Sequence, residues 1–172
     1  MATLREIQAP LKAQYQADEG SSRITLRARG DAGDGAMSCS VDIGRAIYAA
    51  EAHPGVGGAG MAACSGDLLL GALAACAQLT CQMVAANMGL SVQVAVEVEG
   101  DLDLRGTLGL GEAPVGFTAI RTNFSLSSLG EEIATDRMAR LQERTERYCV
   151  VLQTLGQPAS LTSSWQVRSL PG

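Results

Sequence analysis

The sequence predicts an α+β protein in which antiparallel sheets pack around one long buried helix. Three stretches carry that expectation. Leu68 to Leu90 holds no charged residue. Val92, Val94, Val96 and Val98 alternate with other residues at a period of two, the signature of a strand. Ala134, Met138, Leu141, Thr145 and Tyr148 recur at three- and four-residue spacing, the signature of an amphipathic helix over 130–148.

In chain order, residues 3–18 read as a short N-terminal helix interrupted at Pro10, because proline removes a backbone donor. Arg23 to Arg29 alternates, with Ile24, Leu26 and Ala28 on one face and Arg23, Thr25, Arg27 and Arg29 on the other, as a half-buried strand would. The segment Gly30-Asp-Ala-Gly-Asp-Gly35 is a turn, so Ala36 to Ile43 returns as the second strand of a hairpin. Arg45 to Ala52 is a third strand, and His53 to Cys64 a glycine-rich loop. Ser65 is the expected N-cap of the long helix and Gly89 its stop. The valine strand is expected to run on to Arg105. After a loop over Gly106–Gly116 its hairpin partner is Phe117 to Leu126, with Ile120, Phe124 and Leu126 inward. Gln157-Pro158 breaks the chain after the second helix, and Ala159 to Arg168 is a last strand. The whole of 1–172 reads as a single domain, with 1–20 as an N-terminal helical extension.

Composition narrows the function. A hydrophobic share of 47% with 18% charged residues belongs to a globular chain. A net charge of -5 excludes the basic stripe that a nucleic-acid surface needs. Leu68–Leu90 is long enough to span a bilayer, but it carries Gln78, Thr80, Gln82 and Asn87 and lacks flanking cations. It is read as a helix buried on all sides, too much for one short chain to cover, so a partner subunit and no membrane are expected. Five widely spaced cysteines do not form a secreted disulfide framework. With the early charges of Met1-Ala-Thr-Leu-Arg-Glu, which leave no apolar signal core, a reducing cytoplasmic location is expected.

Cys76 sits about ten residues into the long helix, beyond the reach of that helix's own dipole. A thiolate there needs a stabilising side chain, and arginine is the candidate, because Lys12 is the only lysine and His53 the only histidine. Cys81, five positions on, lies roughly 140° around the axis and does not share its face. Cys149 closes the second helix. From spacing alone either cysteine could be an inert core residue. Cys39 and Cys64 lack metal-ligand spacing, and Gly55–Gly60 lacks the context of a phosphate loop.

The segment Gly66-Asp-Leu-Leu-Leu-Gly-Ala-Leu-Ala-Ala-Cys76 resembles the helix motif of the OsmC/Ohr family. Gly55-Val-Gly-Gly-Ala-Gly60 resembles that family's glycine-rich loop, and Glu143-Arg-Thr-Glu-Arg-Tyr-Cys149-Val resembles its second cysteine motif, usually Cys-Pro-Val. The resemblance implies an OsmC-like fold in an intertwined homodimer. It implies a thiol-dependent peroxidase without a cofactor, in which Cys76 attacks a small organic hydroperoxide and Cys149 resolves the sulfenic acid. A dithiol reductant, lipoyl or similar, then restores both. It also implies an activating arginine, with Arg29 the best match and Arg27 the second. This chain departs from the motif at Ser65 and Val150, where the family has proline, and at Gly66, where the Ohr branch has an acid. Asp67 matches the glutamate of the OsmC-like branch. These departures bear on activity rather than on fold. The alternative is a non-catalytic OsmC-like dimer that binds a small apolar ligand.

Overall fold

The computed structural model describes residues 3–32, 38–44, 46–130 and 132–167. Its architecture is the expected α+β arrangement: small antiparallel sheets and one long helix. An N-terminal helix, α1 (Leu4–Ala17), starts at a Thr3–Glu6 capping box and runs through Pro10 without ending. Strands β1 (Arg29–Ala32), β2 (Ser38–Asp42) and β3 (Ile47–Glu51) form an antiparallel meander. The tip of its first hairpin, expected as a glycine-rich turn, lies partly outside the described residues. The backbone N–H of Glu51 donates to the carbonyl of Ala63 at 3.1 Å and ties the third strand to the approach of the long helix.

That helix, α2, spans Ser65–Asn87. Its N-cap is Cys64, one residue earlier than expected, and Gly89 follows its end at φ 67°, a left-handed conformation that glycine adopts without strain. Strands β4 (Val92–Leu102) and β5 (Phe117–Ser128) pair antiparallel over their whole length, with a register shift at Asp101/Leu102. A short helix, α3 (Leu104–Thr107), begins the connection between them. Helix α4 (Thr135–Tyr148) is followed, after the single residue Cys149, by α5 (Val150–Gly156).

The core has two centres joined by Val96 and Phe124. One gathers Cys81, Val84, Ala85, Val94 and Leu141; the other gathers Leu73, Ala77 and Cys149. Burying each of the larger side chains contributes roughly 1.5–3 kcal/mol. Ile120, Phe124 and Leu126 face inward on β5 as their alternation requires, and Leu141 and Thr145 form the buried stripe of α4.

Besides the uninterrupted α1, the shifted N-cap and the end of β4 at Leu102 rather than Arg105, three expectations differ from what is found. Residues 23–28 and 157–167 form no strand, and Ile24, Leu26, Leu161 and Trp165 are 79–92% exposed. Alternation marks which side chains a strand would bury, but a strand also needs a neighbour, and among the described residues neither segment has one. Second, α2 is covered on one face only: Leu79 is 59% exposed, whereas Leu73, Ala77, Cys81 and Ala85 are buried against the sheet and helices. Third, α5 stands where the sequence suggested no element.

Candidate active site

Helix α2 presents Cys76 on the face that also carries Leu73, Ala77 and Thr80, and this face meets the junction of α4 and α5. Cys149 is that junction. Its φ of -73° and ψ of 104° break the helix, so one residue serves as C-cap of α4 and N-cap of α5. Its backbone N–H still bonds to the Thr145 carbonyl at 3.0 Å, and its carbonyl accepts from Gln153 N–H at 2.9 Å. The turn is therefore held from both sides. It leaves the Cys149 side chain fully buried, pointing at Cys76, and both thiols are free.

The two thiols differ in environment. Partial burial by itself would raise the pKa of Cys76. Hydrogen bonds outweigh it: from the backbone N–H of Val151, from the Cys149 thiol, from the Thr80 hydroxyl and from the backbone N–H of Val150, which together bring the group below the ordinary thiol range. Cys149 moves the opposite way. Burial raises it most; the backbone N–H of Leu152 opposes this, the hydrogen bond to Cys76 and the negative charge there raise it further, and the N–H of Val151 lowers it least. The two neighbouring thiols are thus shifted in opposite directions, Cys76 ionising more readily than an ordinary thiol and Cys149 less readily.

Backbone donors outside α2 and the Thr80 hydroxyl were not foreseen as the stabilising groups. Thr80 was legible, because it stands four residues after Cys76 and so on the same helical face. The amides of Val150 and Val151 were not, since nothing in the local sequence announces that the chain turns at Cys149 and aims new N–H groups at α2. Arg29 lies on β1 with its side chain exposed, and Arg27 is exposed in the irregular segment before it. Among the described residues, no guanidinium is one of the groups that act on Cys76.

The motif departures have local explanations. Asp67 accepts the backbone N–H of Cys64 at 2.9 Å and so caps α2. That bond, together with the Cys64 side chain, lowers its pKa. It serves the helix end, not Cys76. At Gly66 a Cβ would stand 3.3 Å from the Phe117 ring and 3.4 Å from the Cys64 sulfur, so an acid at this position would have to displace the ring. His53 accepts the Gly55 N–H on Nδ1 at 3.0 Å and caps the turn over Pro54–Val56. Cys81 is buried, which raises its pKa, and Cys39 lies on β2. Among the described residues, no cluster of three or more potential ligands could hold a metal ion.

Solved structures share this fold. An OsmC-like protein from Mycoplasma pneumoniae superposes with a TM-score of 0.64 at 15% identity, over 78% of this chain and 89% of that one. An organic hydroperoxide resistance protein OsmC from Legionella pneumophila gives 0.57 at 18% identity, over 79% and 92%. An organic hydroperoxide resistance protein from Elizabethkingia anophelis gives 0.53 at 18% identity, over 79% and 91%. No curated protein matches the chain in sequence. The family model for OsmC-like proteins matches residues 57–164, from the glycine-rich loop through both cysteine motifs, and the chain therefore belongs to the OsmC-like family.

Proposed function

We propose that the chain is a thiol-dependent peroxidase that reduces small organic hydroperoxides. The observation that carries the reading is the contact between Cys76 and Cys149, far apart in sequence and opposite in pKa direction. The Cys76 thiolate attacks the terminal oxygen of R–O–O–H. The S–O bond forms as the O–O bond breaks, leaving a sulfenic acid and an alkoxide that takes a proton from water and departs as the alcohol. The Cys149 sulfur then displaces hydroxide from the sulfenic acid, its own proton leaving with that hydroxide as water, and a disulfide joins the pair. A dithiol, lipoyl or similar, reduces the disulfide by exchange.

The working form in this reading is a cytoplasmic homodimer. A second copy supplies partners for segments 23–28 and 157–167 and covers the exposed face of α2. It also brings Arg29, or Arg27, to the peroxide oxygens, where a guanidinium is suited to hold two oxygens at once. Consumption of cumene hydroperoxide with dihydrolipoamide as reductant tests the reading. Wild-type protein should turn over, and Cys76→Ser should be reduced to the uncatalysed rate. Equal rates for both proteins would end it.

A second reading, a dimer that binds a small apolar ligand without catalysis, is favoured by one observation. A cavity of about 340 Å³ lies between α4 and β5, walled by Phe124, Leu126, Met138, Leu141 and Leu152. Buried Thr145 also lines it, its hydroxyl beside the Cys81 sulfur.

A further inference from the structure

A different cavity has a charge at odds with the chain as a whole. It lies where α1, α2 and α4 meet and measures about 590 Å³. From α1 come Arg5 and Lys12, seven residues apart and so on one face of that helix. From α4 comes Arg144, with Tyr148 one turn further on, and from α2 come Thr80 and Met83. Three cations line this space and no acid does, in a protein of net charge -5.

The three cations have little else to do. Among the described residues none of them forms an ion pair; the only contact of Arg5 is a long hydrogen bond, 3.5 Å, to the Asn87 carbonyl. Like charges gathered on the wall of a concave space repel, and an anion placed among them relieves that repulsion while the low-dielectric walls focus the field on it. Met83 and the Tyr148 ring add an apolar side to the same space. The surroundings matter as well. A nucleic acid or a membrane would need a continued basic surface, whereas Glu143 and Glu146 interrupt the arginines along α4.

We propose that this cavity binds a small molecule with one anionic head, a carboxylate or a phosphate, on a short apolar stem. Arg5, Lys12 and Arg144 hold the head, and Met83 and Tyr148 flank the stem. Two of the three cations come from α1, which precedes the segment matched by the family model, so most of the pocket's charge is supplied by this chain's own N-terminal helix. Its placement is also specific: Thr80, which lines the cavity, stands one helical turn from Cys76 on the same face of α2, and Tyr148 immediately precedes Cys149. An occupant sits one side chain away from the thiol pair.

The test is direct binding to the full chain and does not depend on peroxidase activity. Octanoate, octyl phosphate and octanol are titrated by isothermal calorimetry. At least one of the two anions should bind saturably, with octanol at least tenfold weaker, and the tighter anion identifies the head. The double variant Lys12→Gln/Arg144→Gln, at two exposed positions, should lose at least tenfold in affinity for that anion. Arg140→Gln, on the same helix but outside the cavity, should not. Octanol binding as tightly as both anions, no saturable binding of either anion, or an unchanged affinity in the double variant would overturn the proposal.

Discussion

The Cys76 and Cys149 thiols pack together at the junction of three helices, Cys149 fully buried and Cys76 half-buried, and each acts on the other's ionisation. Burial raises both groups; hydrogen bonding, led by the backbone N–H of Val151, brings Cys76 down, whereas the neighbouring Cys76 raises Cys149 further.

Val150 takes the place of the family's proline and contributes a backbone N–H that proline lacks. Val150→Pro removes that one donor. The fold should tolerate it, because Val150 is the first residue of α5, its side chain is 71% exposed, and Cys149 already has the extended backbone that precedes proline. A hydrogen bond to a charged sulfur is worth about 1.5 kcal/mol, so iodoacetamide alkylation of Cys76 at neutral pH should slow about tenfold. An unchanged rate would show that Val150 does not stabilise the thiolate.

Thr80→Val keeps the shape of a buried side chain and deletes its hydroxyl. Cys76 alkylation should slow about tenfold, since this too is a hydrogen bond to a charged sulfur worth about 1.5 kcal/mol, while the unfolding midpoint stays close to that of the wild type. A fall in midpoint with no change in rate would assign Thr80 to packing instead.

Alkylation should also separate the cysteines by pH. The lowered Cys76 pKa means that its rate rises with pH and levels off below the range in which an ordinary thiol ionises, roughly 8.5. Cys81, whose pKa burial raises, should remain slow through the same range and react only in more alkaline solution. Mass spectrometry of tryptic peptides after timed alkylation reads both.

The two long elements and the hairpin β4–β5 were legible because their side-chain periods come from burial within the chain itself. Val94 and Val96 on β4, and Leu141 on α4, are in the core for the reason that their spacing announced. Segments 23–28 and 159–167 carry the same kind of pattern, yet they stay unpaired here, since alternation encodes a face and not a neighbour. The thiol pair was legible only through its two motifs. What activates Cys76 was not: a hydrogen-bond donor supplied by the backbone has no side-chain signature, and α5 is too short to have a period.

Leu141 is 1% exposed and packs where α2, α4 and β4 meet. Leu141→Ala should lower unfolding stability by about 2–5 kcal/mol, the usual range for a buried leucine. Chemical denaturation checks it, and a loss below about 1 kcal/mol would mean that the α2–α4 contact is not central to the core.

The chain has one tryptophan, Trp165, and it is 92% exposed in a single copy. If segment 157–167 pairs with a second copy, its emission should be blue-shifted at micromolar concentration and move to the red as dilution dissociates the dimer. A red, concentration-independent spectrum alongside a monomeric sedimentation coefficient would contradict the dimer.

The most direct test of the thiol-pair account is a single turnover. Reduced protein is treated with one equivalent of cumene hydroperoxide, quenched with an alkylating agent and mapped by peptide mass spectrometry. The expected product is a disulfide between Cys76 and Cys149, with Cys39, Cys64 and Cys81 alkylated. In Cys149→Ser the oxidation should stop at a Cys76 sulfenic acid that dimedone traps. A protein that consumes the hydroperoxide while Cys76 stays reduced, or one that leaves the hydroperoxide unconsumed, would contradict the account.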